Sequence, residues 1–241
     1  MALTTIEFIN GLFSLIFVSI SVMVGLIIAS KFLKYKDRNL LLVGASWIFM
    51  CEPWWAVSIN FLFILFTGQI LPLEIYLLIG YALIPVALES WIIAVTNLKY
   101  KKKQVTIIII ITIINVLYEV LFFYFYFTDI TMIGVLQGPV DLKYGIFLMS
   151  YLLIVLIIAI VTGILFARAS MKSDNPEIKL KGKFILVAFI FYFIGSVFSI
   201  FSSYSIILLI LARIMTILAS IEFYCGFTLP NWIKKLLLKQ E

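Results

Sequence analysis

Long apolar blocks, separated by short polar segments, fill this chain. A helix needs about 20 consecutive apolar residues to cross hydrocarbon. Seven blocks reach that length, at residues 8–30, 39–66, 72–97, 104–127, 144–167, 183–201 and 205–229. The pattern predicts one all-α membrane domain over residues 1–241, a seven-transmembrane helical bundle. Only the stretch FSSYS, residues 201–205, separates the last two blocks. The longest connections, 128–143 and 168–182, are too short to fold alone. Pro72 is suited to open the third helix. Gly226 and Pro230 are expected to break the seventh, after which NWIKK can lie along the membrane surface with Trp232 at headgroup level.

Composition agrees. Hydrophobic residues make up 64% of the 241 residues and charged ones only 12%, whereas soluble domains are nearly half apolar and about a quarter charged. Histidine is absent, which removes the commonest metal ligand and general base; no cofactor or metal site is expected, and no enzyme. Cys51 and Cys225 lie inside apolar blocks and read as small buried residues.

The net charge of +6 does not signal nucleic acid, because of where the charges sit. Lys31, Lys34, Lys36 and Arg38 follow the first block. Lys99, Lys101, Lys102 and Lys103 follow the third, and Arg168, Lys172, Lys179, Lys181 and Lys183 the fifth. Lys234, Lys235 and Lys239 occupy the tail, so sixteen of eighteen basic residues alternate onto one side. Such segments are cytoplasmic by the positive-inside rule. The expected orientation is N-terminus outside and C-terminus cytoplasmic, in the cell membrane. The first block has no basic residue before it, only Glu7, and its basic cluster follows it, so it reads as a retained helix.

Five ionisable residues fall within the spans away from their ends: Glu52, Glu89, Glu119, Arg213 and Glu222. Each costs at least a few kcal/mol in hydrocarbon unless paired or hydrated, so each should face the bundle interior. Helical rise puts Glu52 ~20 Å, Glu119 ~22 Å and Arg213 ~24 Å from the basic end, a shared layer and a candidate polar cluster. Glu89 at ~13 Å and Glu222 at ~10 Å form a secondary inner layer, where the two acids can share a proton. Four carboxylates against one guanidinium require protons, a cation or water to balance the excess. Asn60, Asn97 and Asn115 can extend this network.

Pro53 and Pro85 sit mid-span beside Glu52 and Glu89 and are candidate kinks. Trp54, Trp55 and Trp91 are candidate pocket aromatics, with Trp47 near the same layers. The isoleucine run at 107–114 is expected to face lipid. The 128–143 connection reads as an ordinary loop, with a cap over an outward-opening pocket as the alternative.

Residues 205–229 lack the lysine a retinal Schiff base needs, and NLKYKKK (97–103) and LPNW (229–232) carry neither signature motif of G-protein-coupled receptors. The exit FYCGFTLPNWIKK (223–235) resembles that of the seven-helix sensor modules of prokaryotic membrane receptors. The resemblance implies a receptor-like module binding a small or lipophilic ligand within the bundle. Such modules carry an output domain after the seventh helix, so output would come from a separate cytoplasmic or membrane partner protein, held by the basic loops. The Ile- and Lys-rich composition also leans prokaryotic. Two other readings fit the residues: a proton- or cation-coupled transporter or channel, and a non-catalytic scaffold subunit of a membrane complex. No visible repeat supports a transporter.

Overall fold

In the computed structural model, residues 3–201 and 205–238 are described. The helices in chain order are α1 (Thr5–Tyr35), α2 (Arg38–Met50), α3 (Glu52–Thr67), α4 (Leu73–Tyr81), α5 (Ile84–Leu98), α6 (Gln104–Thr128), α7 (Ile146–Met171), α8 (Pro176–Ile200), α9 (Ile206–Thr228) and α10 (Asn231–Leu237). A hairpin of β1 (Gly134–Gly138) and β2 (Asp141–Tyr144) lies between α6 and α7. Six helical rods are long and apolar enough to cross a membrane, and the α2–α3 pair makes seven if its bent halves count as one span. The protein is a multi-pass, membrane-embedded helical bundle. Residues 202–204 of the predicted break and Lys239 of the basic tail lie outside the described residues.

Two spans expected as single helices are broken rods. α2 and α3 meet at Cys51 with a bend of 54°. α4 and α5 meet at residues 82–83. Pro53 and Pro85 lie in the first turn of the following helix in each case. A proline has no N–H, so the carbonyl four residues earlier loses its helical partner. For Pro85 that carbonyl is Tyr81, and the Tyr118 hydroxyl donates to it at 2.8 Å. At the other break the Trp54 amide turns to the Cys51 carbonyl at 3.0 Å, and the Tyr192 hydroxyl donates to the Met50 carbonyl at 2.8 Å. The Leu83 amide, at the start of α5, donates to Glu52 Oε1 at 2.7 Å. Glu52 therefore sits in hydrocarbon to satisfy a backbone donor that a helix break releases. Its place in the first turn of α3 also suits the positive end of that helix.

The helices pack closely elsewhere. α1 lies against α2, α3 and α9, and α5 against α2, α6 and α7. A Cβ on Gly25 would stand 2.7 Å from the Gly44 carbonyl oxygen, so this pair lets α1 and α2 touch through their backbones. Trp47 stacks on Phe223 with ring centroids 3.8 Å apart. Trp91 meets Phe189 at 4.9 Å and donates its Nε1–H to Thr162 at 2.8 Å. Of the six rods, α4–α5 is the most enclosed and α6 the least. Ile109, Ile110 and Ile113 are exposed while Ile111 is buried, so the isoleucine run turns one side to lipid.

Two local expectations change. The 128–143 connection is not a plain loop: Val135 pairs with Lys143 and Leu136 with Leu142 across the hairpin. The helix expected to break at Gly226 continues to Thr228, because Gly226 packs against Ile185. It ends at Leu229, whose φ of 41° is left-handed. α10 then leaves Trp232 and Leu236 exposed while Lys234 pairs with Glu177.

If proline and tyrosine act on the same carbonyl, their removal must be coupled. Tyr118→Phe alone should lower unfolding free energy in mixed micelles by about 1–3 kcal/mol, the cost of a buried unsatisfied group. In a Pro85→Ala background the loss should shrink, since the N–H restored at position 85 can return to the Tyr81 carbonyl. Additive losses in the double-mutant cycle would reject this account.

Candidate functional site

The helix breaks leave space. Met50, Pro53, Tyr81 and Ile84, all at or beside the breaks, line a cavity of about 550 Å³. That size suits a small organic ligand. α7 and α8 make close contact toward the lysine-rich end, where Gly163 leaves room for the Phe189 ring and a Cβ on Gly182 would stand 2.8 Å from the Met171 amide. Toward the hairpin end the same two helices form cavity wall, through Leu152 and Leu156 on one and Tyr192 and Ser199 on the other.

The hairpin closes that end. Asp141, Leu142 and Tyr144 line the cavity, and the exposed Lys143 stands at its edge. Two asparagines hold the tip: Asn10 Nδ2 donates to the Val140 carbonyl at 3.2 Å, and Asn60 Nδ2 donates to the Pro139 carbonyl. Val140 is buried. Asn60 also accepts from the Leu71 amide at 2.9 Å, tying the hairpin to the α3–α4 connection. Burial raises the pKa of the Tyr144 phenol, so it stays neutral and able to donate.

Arg213 of α9 reaches this cavity and is only 3% exposed. Its Nη2 donates to Asn10 Oδ1 at 2.6 Å and its Nη1 to Ser199 Oγ at 3.2 Å. The guanidinium carbon lies 5.8 Å from the Trp54 ring centroid, in cation–π range. Its Nε is buried with no hydrogen-bond partner among the described residues. Tyr76, Tyr144 and Asp141 lie within electrostatic reach. The Tyr76 hydroxyl, on a fully buried side chain that also lines the cavity, has no hydrogen-bond partner among the described residues.

The expected cluster of Glu52, Glu119 and Arg213 does not form as a set of ion pairs. Equal depth does not fix direction around a helix. Glu52 turns to Leu83, and its second oxygen is buried with no hydrogen-bond partner among the described residues. Glu119, half-buried on α6, lies within electrostatic reach of Glu52 but does not bond to Arg213. Arg213 instead faces α1, α3 and α8.

Glu89 and Glu222 do not meet either. Glu89 accepts from Thr112 and from Asn115, both at 2.9 Å. Asn115 in turn accepts from the Tyr151 hydroxyl at 3.0 Å and donates to the Pro85 carbonyl at 3.3 Å. Glu222 is half-buried on α9, apart from this set. Asn97 joins neither group; it donates to Asn39 at 2.9 Å and accepts from Gln104 at 2.5 Å. Cys51 and Cys225 are free and buried.

Of the three tryptophans expected at a pocket, Trp54 lines the cavity, whereas Trp55 packs on Phe49 and Trp91 lies in the aromatic core. Asn10 and Tyr76 escaped the sequence reading, and so did the hairpin form of the 128–143 connection, for which a cap was only the alternative. Asn10, Ser14 and Ser21 do mark one polar side of an apolar helix. The turn residues QGPVD between short apolar stretches are a hairpin signal. No family model matches this chain, and no curated protein matches it.

Glu52→Gln should keep the melting temperature close to wild type, since an amide oxygen still accepts from Leu83. Glu52→Leu should cost about 1–3 kcal/mol by orphaning that donor. Equal losses in thermal unfolding would disprove the assigned role. Tyr76→Phe removes an unsatisfied hydroxyl, so the melting temperature should hold or rise; a fall would mean the hydroxyl has a stabilising partner.

Proposed function

We propose that this protein is a receptor-like membrane module that binds a small lipophilic ligand in the cavity around Arg213 and signals through a separate protein. One observation carries the reading: a cavity walled by both apolar and polar side chains holds a buried arginine whose Nε has no hydrogen-bond partner among the described residues. A stabilising contact alone would be expected to use the donors of such a costly group more fully.

In the orientation suggested by the basic segments, the hairpin and cavity face outside. The lysine-rich ends face the cytoplasm, where a partner protein would dock. Both helix breaks border the cavity, so occupancy can bias their bend angles, and hinge motion of this kind is a common switching device. Transport is the second reading. It is favoured by the unpartnered oxygen of Glu52 near Glu119 and by the Glu89–Asn115–Tyr151 chain. Proton flux in proteoliposomes that is abolished by Glu89→Gln and Glu119→Gln would favour it.

A thermal-shift screen of lipophilic compounds on the detergent-purified protein tests the receptor reading. At least one compound should raise the melting temperature in wild type, with the shift lost in Arg213→Gln. If no compound shifts the wild type, or if shifts persist without the arginine, the reading fails.

A further inference from the structure

We infer that the cavity's ligand is a single-chain lipophilic carboxylate, its head group seated on Arg213 and Tyr76 and its chain lying along the leucines of α7. The inference rests on the receptor reading above and specifies the ligand's chemistry. Arginine carries five N–H donors. Asn10 and Ser199 receive two of them, and both acceptors are neutral. A guanidinium buried in apolar surroundings is completed by an anion. Its planar fork matches the two oxygens of a carboxylate. Among the described residues the Nε–H is buried without a partner, and the Tyr76 hydroxyl is a second buried donor with none on the same cavity. Two unfilled donors within electrostatic reach of each other define a place for oxygen acceptors.

The rest of the lining selects among anions. Asp141 is on the wall and within electrostatic reach of Arg213, so a doubly charged phosphate meets repulsion that a monocarboxylate meets less. Leu152, Leu153 and Leu156 present an apolar strip for a hydrocarbon chain. A cavity of about 550 Å³ has room for one short chain rather than the two of a phospholipid. Asn10 binds Arg213 through its oxygen and the hairpin tip through its amide nitrogen, so a head group on the arginine lies one side chain away from the cap.

Radiolabelled laurate, binding to the purified full chain in detergent, is the probe; lauryl alcohol and lauroyl lysophosphatidate are the competitors. Saturable laurate binding that the alcohol fails to displace, and that lysophosphatidate displaces only at higher concentration, is the expected result. Tyr76→Phe should weaken laurate binding about tenfold, the scale of one hydrogen bond to a charged group. That variant removes a hydroxyl with no partner among the described residues, so its fold is not at risk. Arg213→Gln should abolish binding, provided the variant elutes as a single species. Displacement by the alcohol as readily as by laurate would overturn the carboxylate while leaving a lipophile site. Preference for lysophosphatidate would replace the carboxylate with a phosphate head group. Unchanged affinity in Tyr76→Phe would remove the assigned seat. If neither laurate nor any lipophile of the thermal screen binds, the receptor reading falls as well.

Discussion

A backbone amide or carbonyl that loses its helical partner inside hydrocarbon has no water to turn to. This fold meets that constraint at two places, where α2 gives way to α3 and α4 to α5. The repairs come from three different helices: Tyr118 of α6 for the Tyr81 carbonyl, Tyr192 of α8 for the Met50 carbonyl, and Glu52 of α3 for the Leu83 amide. Each repair is also an interhelical tie. The bends and the packing of the bundle are thus one problem with one solution, and removing a repair loosens both.

The cavity follows from the same bends. Broken rods cannot fill the volume that straight helices would, and the residues at both breaks line the space left over. Close contacts at Gly163 (the Phe189 ring) and Gly182 (the Met171 and Ala167 backbone) draw α7 and α8 together at one end, and the hairpin closes the other. Asn10 joins the closure to the site, since it holds both the Arg213 guanidinium and the hairpin tip. An arginine kept in hydrocarbon on two neutral acceptors, an aromatic face and an unfilled Nε fits an interior meant to receive something.

Much of the architecture was legible in the chain. The apolar blocks marked every span to within a few residues at most ends, and Pro53 and Pro85 marked the breaks. The intramembrane acids stood out in the sequence, but their partners did not. A count of helical rise gives depth but not azimuth, and the bend at Cys51 turns Glu52 away from any direction a straight helix would predict. Glu52 and Arg213 share a layer and still serve different neighbours. Tyr118 and Tyr192 were invisible for a related reason: a tyrosine in an apolar run looks like packing until a break in another helix frees a carbonyl within its reach.

What the sequence determined by itself was membrane residence, the approximate spans and the positions of the breaks. Hydropathy sums locally along the chain, and proline's missing N–H acts on its own helix. Only the tertiary structure decided which polar groups meet, where the cavity lies and that a hairpin caps it. Those outcomes depend on the directions of side chains from helices far apart in sequence, and direction is set by bends and close contacts that no single segment encodes.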